Sequence, residues 1–165
     1  MSKTIINLTS STAEGKTKMD AYCNALSKAG ITNLNLITLS SVLPHNSAVI
    51  SKKPKINYID YGKRMYVIMA EIRTDKIGEK ISAGIGWLKE KNGTGHGMVV
   101  EIVGGDEIKL QKEIEESLEG YRLTGKIEYE EKFNIKIESI VCKKEPVCAL
   151  VVLAFEKLEA WENEN

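Results

Sequence analysis

Residues 33–44, NLNLITLSSVLP, join a strand-like apolar run to a pair of serines. The segment Asn33–Leu39 has the composition of a buried β-strand, and the apolar pair Val42-Leu43 follows before Pro44. Ser40 and Ser41 therefore stand between two hydrophobic segments, where a core would favour valine or isoleucine. Residue types alone favour a polar strand end or a turn before proline. Only a wider pattern gives the two hydroxyls another meaning.

Length and composition are typical of a soluble globular protein. The chain has 165 residues, 42% of them hydrophobic and 28% charged, which predicts a single domain over residues 1–165. Lys+Arg 23 balances Asp+Glu 23, so the charge argues against nucleic acid as a partner. Residues 1–7 are too short and polar for a signal peptide, and the apolar run 147–155 is too short to span a membrane. We expect a cytoplasmic protein without membrane partners.

The three cysteines do not form a metal-binding pattern. Cys23, Cys142 and Cys148 have no CxxC spacing, and only His45 and His96 could join them as ligands. We therefore predict no metal site, and we interpret the cysteines as small buried thiols in a reducing compartment.

Two segments have helical periodicity. Thr17 begins the first helix and Gly30 ends it, while Asp106 caps the second. The predicted apolar positions are Met19, Tyr22, Leu26 and Ala29 in the first helix and Ile108, Leu110, Ile114, Leu118 and Tyr121 in the second.

The remaining apolar runs predict strands. They cover residues 3–8, 33–39, 64–73, 80–88, 98–103, 133–141 and 147–155, and residues 9–16 are expected to be a polar break. Few strand pairs have a helix between them, so the sequence predicts an α/β sandwich with mostly antiparallel sheets.

Standard catalytic motifs are weak in this sequence. A Ser-His-Asp triad would need His45 or His96, and no G-x-S-x-G motif accompanies any serine. The glycine-rich segment Gly93–Gly97 lies between predicted strands, which favours a hairpin turn over a phosphate-binding loop.

Glu101 is the most unusual charged residue, because apolar residues flank it within Met98–Val103. Its side chain either faces water on the exposed side of the strand or is buried with a raised pKa, ready to transfer a proton. The exposed position is the commoner one for an isolated glutamate.

An ordered set of short motifs runs along almost the whole chain. They are Gly15-Lys16-Thr17, Ala21-Tyr22, Asn24-Ala25-Leu26, Ala29-Gly30-Ile31, Asn33–Ile37, Leu39–Pro44, Gly78–Ala83, Met98–Glu101 and Ile137–Ile140. In these motifs the sequence resembles the pyruvoyl-dependent arginine decarboxylases. The resemblance implies a four-layer αββα sandwich that assembles as a homotrimer, or as a dimer of trimers, with active sites between subunits.

The resemblance also gives the serine pair a function. It implies that the chain cuts itself between Ser40 and Ser41, leaving a β chain of residues 1–40 and an α chain of residues 41–165. Ser41 Oγ attacks the Ser40 carbonyl, the amide becomes an ester, and β-elimination with hydrolysis leaves a covalent pyruvoyl group at position 41. Asn35, six residues before Ser41, matches the asparagine that the family uses in this self-processing.

The implied reaction converts L-arginine to agmatine and carbon dioxide. The amine of the small-molecule substrate forms a Schiff base with the pyruvoyl carbonyl, which acts as an electron sink. Glu101 matches the family's proton donor, a role that requires a desolvated carboxyl group near neutral pH. The resemblance implies no other cofactor.

One position departs from the family pattern. Cys23 stands where the family carries the aspartate that binds the substrate guanidinium, and a thiol does not replace a bidentate carboxylate. Asp20, one turn earlier on the same helix, is the candidate replacement. Two alternatives stay open: the same chemistry on another amino acid or on S-adenosylmethionine, and an uncleaved, non-enzymatic homologue that binds or regulates.

Overall fold

A computed structural model describes residues 3–162 and contains two α-helices, nine β-strands and one 3₁₀ turn within that range. In chain order these are β1 (Thr4–Glu14), α1 (Lys18–Ala29), β2 (Asn35–Thr38), β3 (Val42–Leu43), β4 (Ser47–Ser51), the 3₁₀ turn (Tyr58–Asp60), β5 (Arg64–Thr74), β6 (Lys80–Lys89), β7 (Gly97–Gly104), α2 (Glu107–Thr124), β8 (Asn134–Val141) and β9 (Val147–Glu159).

The strands form two sheets. The five-stranded sheet has the order β2-β5-β9-β1-β4, and the four-stranded sheet has the order β3-β7-β6-β8. Only the pairs β1–β4 and β2–β5 are parallel among the described strand pairs. The prediction of mostly antiparallel sheets is confirmed.

Three apolar clusters separate four layers. The largest lies between the two sheets, the second lies between α1 and the outer face of the five-stranded sheet, and the third lies between α2 and the outer face of the four-stranded sheet. Because each helix covers the outer face of one sheet, the architecture is the expected αββα sandwich.

The helix ends lie where the capping residues predicted them. The Thr17 hydroxyl accepts a hydrogen bond from the Asp20 N–H at 3.0 Å, and Gly30 ends α1 at a φ of 79°. The Asp106 carboxylate caps α2 by accepting hydrogen bonds from the backbone N–H groups of Ile108 and Lys109.

The predicted apolar faces of the helices were partly wrong. Met19 is 59% exposed and Ile108 is 82% exposed, so neither packs on a sheet. In α1 the fully buried positions are alanines, including Ala25 and Ala29. Small side chains let β1 approach closely enough for its own hydroxyls to reach the helix backbone.

The polar segment after residue 8 is a strand and not the predicted break. β1 continues to Glu14 and pairs with β9 from Ile6 to Glu14. Thr9 and Ser11 are nearly buried, and their hydroxyls donate to the carbonyl oxygens of Ala29 and Ala25 at 2.8 and 2.7 Å. These polar residues belong to a strand because the helix above supplies their hydrogen-bond acceptors.

Within residues 3–162, neither helix is long and apolar enough to cross a membrane. The same range contains no group of three or more His, Cys, Asp and Glu side chains placed to hold a metal ion.

Candidate active site

The segment between β2 and β3 crosses from one sheet to the other. Before the crossing, the Leu39 N–H donates to the carbonyl oxygen of Val67 on β5, at 2.8 Å. After it, the Ser41 carbonyl oxygen accepts from the Val99 N–H on β7, at 2.9 Å. Ser40 thus spans the step between the five-stranded and four-stranded sheets.

Ser41 and Glu101 meet at this crossing. The Ser41 hydroxyl lies 2.8 and 2.7 Å from the two carboxylate oxygens of Glu101, and both residues are half-buried. Glu101 points to the same side of β7 as Val99, and its register partner is Ile85; both of these belong to the apolar cluster between the sheets. The carboxylate therefore lies at the rim of the sandwich. It is neither fully exposed nor fully buried, the two alternatives that the sequence left open.

The main chain around the Ser40–Ser41 bond folds back on itself. Ser40 is exposed, and its carbonyl oxygen accepts a hydrogen bond from the Val42 N–H at 2.8 Å. Sequence reasoning missed this contact because it joins two backbone groups, which no side-chain motif encodes.

Asn35 is not joined to the serines within this chain. It is exposed at the start of β2, and its side-chain amide donates to the Gly62 carbonyl oxygen at 2.6 Å. The Trp161 indole N–H donates to the same oxygen at 2.9 Å. The role of Asn35 in self-processing stays a prediction.

Asp20 and Cys23 lie in a different layer from Ser41. Both are on α1, which packs on the outer face of the five-stranded sheet, whereas Glu101 faces the space between the sheets. Cys23 is exposed, and one Asp20 carboxylate oxygen accepts from the Lys16 N–H at 2.8 Å. A substrate contact by either residue also stays a prediction.

The prediction of three buried thiols is confirmed for two cysteines and wrong for Cys23, which is exposed. Cys142 and Cys148 are both free and have no solvent exposure. Burial, with a smaller effect from Glu71, raises the pKa of the Cys148 thiol to about 12. This thiol stays protonated and is a poor nucleophile.

The glycine-rich segment forms the predicted hairpin. β6 and β7 pair up to Lys89 and Gly97, and the Glu90 N–H donates to the His96 carbonyl oxygen at 2.8 Å. The imidazole of His96, on this hairpin, stacks on that of His45, between β3 and β4, at a centroid distance of 5.0 Å.

Two surface depressions lie outside the candidate site. A depression of about 720 Å³ near the end of α2 and another of about 360 Å³ beside Tyr66 both lack Ser41 and Glu101 in their linings. The contact between the Ser41 hydroxyl and the Glu101 carboxylate identifies the candidate active site instead.

The class of protein that emerges is a mixed α/β sandwich with a serine hydroxyl held on a carboxylate where the chain changes sheets. The model of the family described as pyruvoyl-dependent arginine decarboxylase matches residues 5–160. The chain belongs to this family.

Curated relatives agree with that assignment. The chain is 36% identical to the pyruvoyl-dependent arginine decarboxylase of Thermococcus kodakarensis, over 86% of this chain and 88% of the relative. It is 33% identical to the Thermococcus sibiricus protein of the same name, over 88% and 90% of the two chains. The Pyrococcus horikoshii protein of that name is also 33% identical, over 86% and 87%.

The family implies a covalent pyruvoyl group, and the residues at the crossing fit one. A pyruvoyl group arises from a serine residue. The crossing contains Ser41, whose hydroxyl is hydrogen-bonded to the Glu101 carboxylate.

Proposed function

We propose that this chain is a self-cleaving, pyruvoyl-dependent decarboxylase that converts L-arginine to agmatine and carbon dioxide. The observation that carries the proposal is the contact of the Ser41 hydroxyl with both oxygens of Glu101. It puts the carboxyl group of Glu101 beside the residue proposed to become the reactive group.

Self-cleavage would begin at the crossing. Ser41 Oγ bonds to the Ser40 carbonyl carbon, the Ser40–Ser41 C–N bond breaks, and the hydroxyl proton ends on the Ser41 nitrogen. β-Elimination then removes the proton from the Ser41 α-carbon and breaks the Ser41 Cβ–Oγ bond, so residues 1–40 leave with Oγ in their new carboxyl group. Water adds to position 41 and ammonia departs, which leaves a ketone at the start of residues 41–165.

The two fragments would stay together after the cut. Residues 1–40 supply β1, which lies between β9 and β4 in the five-stranded sheet. Its register with β9 runs from Ile6 to Glu14, and β2 remains paired with β5. Apolar contacts to both neighbours support an association without the covalent link.

Once formed, the pyruvoyl group supplies an electron sink for the bond that releases carbon dioxide. Glu101 would then hold a proton on its carboxyl group next to position 41 and donate it to the substrate α-carbon. Its environment supports this role, because the side chain is half-buried and faces the apolar cluster between the sheets.

Asn35 would assist self-cleavage from the start of β2. Its hydrogen bond to Gly62 fixes the strand that leads into Ser40. This anchoring supports a role in positioning the scissile carbonyl.

The substrate would contact a second copy of the chain. Asp20 and Cys23 lie on α1, outside the five-stranded sheet and in a different layer from the Ser41 of their own chain. This placement supports the proposed homotrimer, alone or as a dimer of trimers. Three free thiols support the proposed cytoplasmic location.

A second candidate is the same chemistry on another amino acid or on S-adenosylmethionine. Cys23 brings no charge, and one oxygen of Asp20 is already engaged by the Lys16 N–H. Carbon dioxide release from arginine, ornithine, lysine, aspartate and S-adenosylmethionine, measured side by side, decides between the substrates.

Intact mass spectrometry of the purified protein tests the proposal. We expect two masses, the larger belonging to residues 41–165 and lighter by one ammonia than a fragment that begins with serine. A single uncut mass after long incubation would instead indicate the non-enzymatic homologue. Two masses without the loss of ammonia would mean ordinary proteolysis.

A further inference from the structure

The peptide group between Ser41 and Val42 is held at both ends. Its carbonyl oxygen accepts from the Val99 N–H on β7 at 2.9 Å, and its N–H donates to the Ser40 carbonyl oxygen at 2.8 Å. The paired strand therefore fixes the direction in which the Val42 N–H points. That direction is toward the carbonyl of the bond proposed to break.

We propose that the Val42 backbone N–H is the oxyanion donor of self-cleavage. This inference rests on the proposed function and adds a catalytic group to it. When Ser41 Oγ bonds to the Ser40 carbonyl carbon, the C=O electron pair moves onto the Ser40 oxygen. The Val42 N–H already contacts that atom, and the hydrogen bond strengthens as the charge develops.

Three neighbouring residues have different roles in the proposed self-cleavage. Glu101 orients the Ser41 hydroxyl, Val42 stabilises the Ser40 oxygen, and Val99 fixes the peptide group that carries the donor. The donor itself is already in place before the attack, because β3 is paired with β7 at Val42 and Leu43. A donor fixed in this way is worth more than a mobile one.

The side chain of Val42 has no part in this function. It is 42% exposed, so its removal leaves the core between the sheets intact. Val42→Ala keeps the N–H and is the matched control. Val42→Pro removes the N–H, and replacing Val42 by its α-hydroxy acid removes it without changing the side chain.

The experiment follows fragment formation by denaturing gel and intact mass from freshly made full-length chain. We expect Val42→Ala to cleave like wild type. Val42→Pro and the α-hydroxy acid chain should cleave more slowly by on the order of 10²–10³, the usual effect of losing one oxyanion donor. Circular dichroism and thermal unfolding establish that each variant is folded, and the α-hydroxy acid chain decides the result if proline prevents folding.

Hydroxylamine adds a readout that a purely structural role would not change. It cleaves esters, so it reports whether the acyl shift has occurred. The α-hydroxy acid chain also contains a backbone ester between Ser41 and residue 42, which hydroxylamine cleaves as well, so intact mass assigns each cut. In chains that lack the donor we expect no hydroxylamine product that ends at Ser40.

Cleavage of the α-hydroxy acid chain between Ser40 and Ser41 at the wild-type rate, or accumulation in it of the ester that joins Ser40 to the Ser41 side chain, would overturn the inference. Failure of the wild-type chain to cleave would overturn the proposed function itself, and the inference with it. Cleavage of the wild-type chain on the denaturing gel therefore distinguishes failure of this inference from failure of the proposed function.

Discussion

The two sides of the Ser40–Ser41 bond begin with the same residue type but have different surroundings. On the amino-terminal side, Leu39 is bound to the five-stranded sheet and Ser40 is exposed. On the other side, Ser41 is half-buried, with its carbonyl on β7 and its hydroxyl on Glu101. The comparison shows that the neighbouring strand, and not the hydroxyl alone, distinguishes the proposed nucleophile from its twin.

The largest expected difference is between alanine substitutions at the two serines. Ser41→Ala removes the attacking oxygen, so it should abolish both cleavage and decarboxylation. Ser40→Ala keeps the carbonyl under attack and should still cleave. Denaturing gels and carbon dioxide release measure both. A Ser41→Ala chain that splits at the same bond would disprove the assignment of the nucleophile.

Glu101→Gln should affect decarboxylation but not self-cleavage, the two reactions proposed for position 41. The amide oxygen of glutamine can still accept a hydrogen bond from the Ser41 hydroxyl, so self-cleavage should continue. Decarboxylation should fall by about 10²–10⁴, because glutamine has no acidic proton to donate. Carbon dioxide release from fully cleaved protein measures this.

Glu113→Gln is the matched control, since Glu113 is exposed on α2. Unchanged turnover in Glu101→Gln would remove Glu101 from the proposed mechanism.

Cys23→Asp should increase the contribution of the amino-terminal fragment to substrate binding, because residues 1–40 carry the proposed guanidinium contact. A carboxylate at this exposed position should strengthen arginine binding by about 1.5–3 kcal/mol, the usual range for hydrogen bonds to charged groups. Steady-state KM for arginine measures it, with Cys23→Ser as the neutral control. Equal KM values in the two variants would place the substrate elsewhere.

Asn35→Ala should have the smallest effect. Loss of its hydrogen bond to Gly62 should cost about 1 kcal/mol of stability and slow cleavage several-fold by loosening β2. Trp161→Phe is the control, because it removes the other donor to the same carbonyl. Single-turnover cleavage rates of fresh protein decide, and identical rates in Asn35→Ala and wild type would contradict a role for Asn35.

Much of the fold was predictable from local chemistry. Thr17, Gly30 and Asp106 carry their own signals, since capping depends on a few adjacent atoms. Residues 9–14 were misassigned because Thr9 and Ser11 are polar by type but bonded to the backbone of α1. These hydrogen bonds form only in the tertiary structure, so the periodicity of the strand sequence does not reveal them.

The candidate site was predictable only in part. The family resemblance named Ser41 and Glu101, which are far apart in sequence, and the structure joins them across β3 and β7. The Val42 donor has no sequence signature, because every residue except proline carries an N–H. Asn35, Asp20 and Cys23 lie away from Ser41 in a single chain, and sequence alone gives no distance between copies.

The interior position of β1 in the five-stranded sheet changes how the mature protein would fold. Before the cut, β1 and β9 are parts of one polymer, so their pairing is unimolecular and independent of concentration. After the cut, the same nine-residue register joins two molecules. Refolding from denaturant should then become second order, and the melting temperature should rise with protein concentration.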